Sequence, residues 1–169
     1  MSQVNAATEN PRLEALHRRM AENSLGGHWQ SRERAAKLEP FLWRWPVIYS
    51  CLMESGEVVK LGRIGEAANR RTVQLVNPAL TAQKATSRTL QMSIQLVKAG
   101  ERAECHRHTA AALRFVVEGD GKGYTTVEGE EMLMEPGDLV LTPNWTWHDH
   151  YNPGRNPIVW LDVLDVPLV

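Results

Sequence analysis

Cys105-His106-Arg107-His108 and Trp147-His148-Asp149-His150, two short phrases within Glu104 to Asn152, carry the strongest structural signal in the chain. Four of the six histidines fall in these eight residues, so the imidazoles are concentrated rather than scattered. Side chains on a β-strand alternate between faces, which points His106 and His108 one way and Arg107 the other. The same holds for His148 and His150 about Asp149. Imidazole is the commonest biological metal ligand, and two such pairs on neighbouring strands bring three or four nitrogens within reach of one ion. A single pair would equally describe a solvated strand edge or hydrogen-bonded core histidines. Two pairs framing a strand-rich segment indicate a metal site. Cys105 alternates to the opposite face, and the expectation for it is a packed thiol, not a fourth ligand.

Outward from these phrases the pattern is that of short strands. Leu90, Met92, Ile94 and Leu96 alternate with Gln91, Ser93 and Gln95 across Thr89 to Lys98. Leu113 to Glu118 is a second strand, closed by the Gly119-Asp120-Gly121 turn. Tyr124 to Val127, Met132 to Met134, Leu139 to Thr142 and Ile158 to Val163 follow, separated by Glu128-Gly129 and Pro136-Gly137-Asp138. Many short strands with turn signals at this spacing predict a sandwich or barrel. Val73 and Leu75 suggest an earlier strand, interrupted at Asn77-Pro78.

The first part of the chain reads differently. Pro11 to Ala21 has Leu13, Leu16 and Met20 at helical spacing, with Asn10 as a cap, proline in the first turn and Gly26-Gly27 as a stop. Ser31 to Leu38 is a second helix candidate and Val47 to Leu61 a third. Phe41-Leu42-Trp43-Arg44-Trp45-Pro46 is dense in rings that are expected to dock this helical part on the barrel, since each ring buries a large apolar area. His17 and His28 have no partner at ligand spacing and are read as structural or surface residues. The division is therefore a helical N-terminal extension over 1–70 packing on a β domain over 71–169.

A chain of 169 residues with 43% apolar composition supports one well-packed domain better than two. The net charge of −1 and the absence of a basic block exclude nucleic acid and anionic membrane as natural partners. The first residues show no basic region followed by an apolar stretch, and no run approaches a membrane span. Cys51 and Cys105 are too few for a disulfide framework and suit a reducing cytoplasm.

Gly100, five residues, then His106-x-His108 and Gly119 resembles the first motif of the cupin superfamily. Gly137, five residues, then Pro143, His148 and Asn152 resembles the second. The resemblance implies a jelly-roll barrel with a metal near its mouth. Two departures narrow it. Ala112 and Leu113 stand where the usual motif carries a glutamate ligand, and the glycine usual after the proline is replaced around Trp145. Ala112 to Phe115, Thr142 to His150 and Trp160 to Asp165 resemble the gentisate 1,2-dioxygenases and their salicylate and hydroxynaphthoate relatives. Weaker likeness extends to Gly27-His28-Trp29, Trp43-Arg44-Trp45 and Asn69-Arg70-Arg71 through Asn77-Pro78, and so covers most of the chain.

That resemblance implies Fe(II) held by His106, His108 and His148, the last also selected by the His-x3-Asn pattern ending at Asn152. Spacing alone admits zinc as well, which would imply hydrolysis or hydration. His150 resembles the residue that takes a proton from the substrate hydroxyl, a role suited to a near-neutral pKa. Arg114 interrupts an apolar strand and matches a substrate-contacting arginine, whose planar fork grips a carboxylate in two hydrogen bonds. Its alternative is an outward residue paired with Asp or Glu. Arg70 and Arg71 resemble a second clamping position, with the choice between them open, and Asp162 matches a carboxylate of the substrate site. Three neutral imidazoles leave the ion its full charge, so an anionic substrate is favoured. The implied activity is ring cleavage of a small aromatic carboxylate by dioxygen, gentisate to maleylpyruvate above all. Gln91, where the family commonly has Tyr or Trp, puts the preference in doubt. Family members usually continue into a second cupin domain. A homo-oligomer or pairing with a second cupin chain is therefore expected, and a metal-binding cupin without turnover is the other reading.

Overall fold

The computed structural model describes residues 11–23, 38–59, 61 and 70–168. The chain forms two compact units, Met1–Lys37 and Leu38–Val169. The first contains helix α1 (Pro11–Glu22), where the helical spacing predicted one. Gly26-Gly27, His28 and all but the last residue of the helix predicted from Ser31 lie outside the described residues, as does the His17 side chain.

The second unit opens with α2 (Trp45–Val58), which starts two residues earlier and stops three earlier than expected because Pro46 suits the first turn. Nine strands follow among the described residues: β1 (Thr72–Gln74), β2 (Gln91–Val97), β3 (Arg102–His106), β4 (Ala112–Glu118), β5 (Tyr124–Val127), β6 (Glu130–Leu133), β7 (Leu139–Thr142), β8 (His148–Tyr151) and β9 (Ile158–Leu164). The interruption at Asn77-Pro78 is a single 3-10 turn, Pro78–Leu80, whose Ala79 amide donates to the Asn77 side chain at 3.0 Å. All strand pairings are antiparallel. They make a five-stranded sheet in the order β1-β2-β9-β4-β7 and a four-stranded sheet in the order β3-β8-β5-β6. The mostly β architecture with helices near the N-terminus is thus the one the turn spacing predicted.

Two apolar clusters hold it together. Val97, Val116, Met134, Val140, Ile158 and Trp160 join residues of several strands into one core. Leu52 of α2 packs with Ile94, Leu96 and Val159 on the other face of the five-stranded sheet, with Ile48, Met53, Val73 and Leu161 around them. β2 is consequently buried on both faces over most of its length. Its Ile94 and Leu96 face α2, and Gln91, Ser93 and Gln95 face the interior of the sandwich with Val97. The ring-dense stretch before α2 behaves partly as expected: Phe41 and Trp43 stack edge to face at 5.2 Å, and Trp43 lines a groove with Ile48 and Leu75, but Phe41 stays half exposed. Among the described residues, no helix is long and apolar enough to cross a membrane.

Leu52 has no exposed surface, so shortening it leaves a cavity between helix and sheet. Leu52→Ala is expected to lower stability by about 2 to 5 kcal/mol. A urea unfolding curve checks this, and an unchanged midpoint would show that α2 contributes little to the barrel.

Candidate metal centre

The four-stranded sheet delivers the histidines. β3 and β8 pair antiparallel with His106 opposite His148 and Ala103 opposite His150, and the register shifts between these two pairs. The extra residue is a bulge, which re-aims the end of the strand. His106 closes β3, and His108 lies beyond it, so both reach the same ion-sized space although strict alternation ends at His106. The bulge also corrects one expectation: Cys105 faces away from the cluster but is exposed, not packed.

One ligand nitrogen from each of His106, His108 and His148 lies within 4.8 Å of the other two. Ring centroids are 5.2 Å apart for His106 and His108, 4.3 Å for His106 and His148, and 4.9 Å for His108 and His148. The tautomers follow from the partners. His108 Nδ1 lies 2.7 Å from the Ala110 carbonyl and His148 Nδ1 3.0 Å from the Thr146 carbonyl. A carbonyl only accepts, so both rings carry their proton on Nδ1 and leave Nε2 free. His148 Nε2 is buried and has no hydrogen-bond partner, an atom in want of a ligand. His106 Nδ1 instead meets Arg70 Nη2 at 2.5 Å, and Arg70 Nη2 also donates to the Glu104 carbonyl at 2.6 Å. Arginine only donates, so His106 Nδ1 accepts there. The Glu104 carbonyl beside it is the acceptor that would hold Nδ1–H with a metal on Nε2.

Burial lowers the pKa of His106 to about 3, helped by the nearby Arg70, and that of His148 to about 4, helped by Arg114 and opposed by the Thr146 carbonyl. Both rings are neutral near pH 7, with lone pairs available. Three imidazoles with their ligand nitrogens this close, one of them a buried orphan, fit a divalent ion of the kind iron or zinc provides.

The two motifs are also tied through their loops. Trp145 holds a φ of 64° and donates its amide to the His108 carbonyl at 2.8 Å. This is the place where a glycine is usual; a bulky residue in left-handed backbone is strained, and two contacts help to hold it, the hydrogen bond to the His108 carbonyl and the Arg107 guanidinium 4.6 Å from its ring centroid. Arg107 also lies 4.8 Å from the Trp147 ring. Asn152 proves to be a brace: its amide donates to the Val97 and Asn156 carbonyls at 3.0 and 2.9 Å, and its oxygen accepts from Gly154 N at 3.0 Å.

A cavity of about 190 Å³ opens beside the cluster. It is lined by His106, His108 and His150, by Arg70, Arg114 and Asp162, and by polar residues of β1 and β2. Arg114 is buried and faces inward; its Nε lies 3.2 Å from Asp162 Oδ1, an ion-pair contact without hydrogen-bond alignment, and Nη1 donates to the Thr142 hydroxyl. Burial lowers the Arg114 pKa and Asp162 opposes it; burial raises Asp162 to about 6 against the pull of Arg114. His150 is buried against Trp160 at 5.0 Å between ring centroids, and burial with the field of Arg114 and Arg70 holds its pKa well below the usual value. Its Nδ1 is 2.8 Å from the Thr125 hydroxyl, which fixes the ring plane.

Of the two neighbouring arginines, Arg70 lines the cavity. Arg71 turns away: it forms a bidentate pair with Glu101 at 2.7 and 3.0 Å and donates twice to the Val59 carbonyl. The structure therefore gathers His106, His108, His148, His150, Arg70, Arg114 and Asp162, and leaves Arg71 out. Thr125, Thr142 and the β2 amides had no signal in spacing; only the reversed polarity of the Gln91-Ser93-Gln95 alternation hinted at them.

Comparison with known proteins bears on the fold and the family. Residues 93–164 match the family model of the cupin domain. The chain is 43% identical to 5-aminosalicylate 1,2-dioxygenase of Comamonas sp over 93% of its own length and 43% of that protein. It is 45% identical to gentisate 1,2-dioxygenase of Streptomyces sp over 77% of its length and 35% of that protein. A crystal structure of salicylate 1,2-dioxygenase from Pseudoaminobacter salicylatoxidans, with gentisate, superposes with a TM-score of 0.75 at 36% identity, covering 99% of this chain and 46% of that one. The chain spans less than half the length of each of these relatives.

Anaerobic reconstitution with Fe(II) is expected to give about one ion per chain, as the three-nitrogen cluster found among the described residues requires. His148→Ala should fall to background in elemental analysis, while Arg71→Lys, outside the cavity, should keep its metal. Equal content in wild type and His148→Ala would refute the site.

Proposed function

From the premise that the chain belongs to the cupin family, in the branch of the gentisate, salicylate and hydroxynaphthoate dioxygenases, we propose that it is an Fe(II)-dependent ring-cleaving dioxygenase of a hydroxylated aromatic carboxylate. Gentisate, opened to maleylpyruvate, is the substrate that its groups suit best. The observation that carries this reading is a cavity lined by Arg70, Arg114 and His150 that opens onto the three-nitrogen cluster of His106, His108 and His148. Held by His106, His108 and His148, iron would supply the dioxygen chemistry that protein side chains lack.

The chain's own residues supply position and protons. Arg114 and Arg70 present donors to a carboxylate, and with two arginines against the Asp162 carboxylate in the described lining the cavity attracts an anion. Deep burial strengthens that attraction. His150, neutral at pH 7 and held by Thr125, is placed to accept a proton from a ring hydroxyl and return it as the ring opens. The bond that breaks joins the carboxylate-bearing carbon to its hydroxyl-bearing neighbour, and both oxygen atoms end in the product. Gentisate suits this because its second hydroxyl, para to the first, feeds electron density through the ring once His150 has drawn the proton. Catechol offers the arginines no carboxylate. The catalytic domain in this reading is 71–169, with 1–70 as its helical extension, working in the cytoplasm as a homo-oligomer.

A second reading rests on the chain's spanning less than half of its relatives: metal binding here, with turnover only after pairing with a second cupin chain. One assay separates the two. Iron-loaded protein alone should consume oxygen and produce the ultraviolet absorbance of the ring-opened product with gentisate, salicylate or 1-hydroxy-2-naphthoate; loaded protein inert with all three would defeat the first reading.

His150→Ala should keep its iron and lose turnover on the order of 10²-fold or more, as expected for a missing acid–base group. Arg114→Met, combined with Asp162→Asn so that no lone carboxylate stays buried, should weaken a carboxylate ligand by about 2 to 5 kcal/mol and a neutral hydroquinone far less. Calorimetric titration of both ligands checks it, and equal weakening would assign Arg114 to packing.

A further inference from the structure

Two loops complete the histidine cluster from outside the strand ladders. β3 ends at His106 and β8 begins at His148, so Arg107, His108, Trp145 and Trp147 take no part in sheet pairing. His108 is therefore the member of the cluster with the least support from the sheet. Its carbonyl accepts the Trp145 amide at 2.8 Å, and its Nδ1 meets only the nearby Ala110 carbonyl at 2.7 Å. Trp145 is a weak anchor by itself, because a φ of 64° is a conformation that a bulky residue keeps only where its surroundings enforce it.

The enforcing contact lies on the outer side of the same strands. Arg107, between His106 and His108, is exposed and is not among the cavity's lining residues. Its guanidinium carbon lies 4.6 Å from the Trp145 ring centroid and 4.8 Å from that of Trp147. Trp147 is fixed from behind: its amide donates to the Glu128 carboxylate and its carbonyl accepts the Glu128 amide at 2.9 Å, which ties it to the turn between β5 and β6. Among the described residues Arg107 forms no ion pair, so the two indoles are its partners. Both rings stay about half exposed, 53% for Trp145 and 46% for Trp147, although burial is where an indole contributes most. Beside a cation their electron-rich faces are used instead.

We infer that Arg107 is a positioning residue for the metal centre: by bridging the Trp145 and Trp147 rings it staples the loop of His108 to the loop that leads into His148, and so sets His108 in place before an ion arrives. This rests on the reading of His106, His108 and His148 as the metal ligands. The line of support runs in one direction. The turn between β5 and β6 fixes Trp147, the Trp147 ring seats Arg107, Arg107 holds the Trp145 ring, and the Trp145 amide fixes the His108 carbonyl. A ligand set assembled beforehand spends no binding energy on ordering its loops, so the staple acts on metal affinity although it touches neither ion nor substrate. Arginine suits the place, because its guanidinium is planar and weakly hydrated and stacks on aromatic faces, whereas lysine offers a compact, strongly hydrated charge.

Metal binding tests the staple apart from turnover. Fe(II) affinity of the full chain is measured anaerobically by competition with a chromogenic chelator, and the visible absorption of bound Co(II) reports the ligand geometry. Arg107→Met should weaken both ions roughly 5- to 30-fold, the range that two exposed cation–π contacts supply, and alter the Co(II) bands. Arg107→Lys, which keeps the charge without the planar fork, should fall between Met and wild type. Trp147→Leu should weaken metal as well, and its loss combined with that of Arg107→Met should be smaller than the product of the two, since the pair acts as a unit. Arg102→Met is the matched control: Arg102 lies 4.6 Å from the ring of Tyr151, its partner across β3 and β8, and supports neither loop, so its loss should leave affinity within about twofold. Circular dichroism identifies any variant that fails to fold, and Arg107→Lys then decides. Affinity within twofold of wild type in Arg107→Met, or an equal loss in Arg102→Met, would overturn the staple while the metal reading stands. If the wild type binds neither ion, that reading falls, and the staple with it.

Discussion

An arginine and an aspartate, both almost without solvent contact, stand opposite each other on β4 and β9 near the middle of a five-stranded sheet. Desolvating either charge alone would be severe, so each constrains where the other can lie. Arg114 interrupts the apolar run of β4, and the run is kept in register with β9 because a slip of one residue would turn Arg114 outward and Asp162 with it, or separate them. The Thr142 hydroxyl of β7 accepts a hydrogen bond from Arg114 Nη1. Three strands are thereby tied by one polar row, and that row is also the cationic wall of the cavity.

Such a row is tolerable only if the sheet finds its apolar burial elsewhere. β2 does so by giving Ile94 and Leu96 to α2 and its glutamines to the interior, against the usual assignment of polar residues to solvent. Helix and cavity are thus one arrangement: α2 covers the outer face with Leu52 and its neighbours, and frees the inner face for chemistry. The N-terminal helical part of this unit is for that reason more than an attachment to the barrel.

The opposite sheet supplies the histidines through a different device. A bulge in β3 and a left-handed Trp145 bring the ends of two strands together, and the Trp145 amide on the His108 carbonyl couples the two motif loops. Backbone carbonyls then set the tautomers of His108 and His148. The neutral state of His106, His148 and His150 has a common origin in burial and in the cationic wall they face. That common cause keeps these rings neutral with a lone pair available, and makes His150 a weaker base than a free imidazole.

The histidine phrases, the glycine and proline spacing and the strand lengths were legible in the sequence, since period-two alternation and turn chemistry are local and need no partner. Gly100 and Gly137 illustrate it: both adopt positive φ, 76° and 98°, where the motif spacing set them. The resemblance to the dioxygenase family, not spacing alone, marked Arg114, His150 and Asp162. Tertiary structure alone decided between Arg70 and Arg71, because alternation assigns neighbours to opposite faces without saying which face is the cavity; Glu101 and the Val59 carbonyl claimed Arg71. It alone exposed Cys105, through a bulge that no residue count announces. It alone turned Gln91, Ser93 and Gln95 inward, because the face a strand presents to the core depends on what covers its other side, and α2 lies more than thirty residues away in the chain.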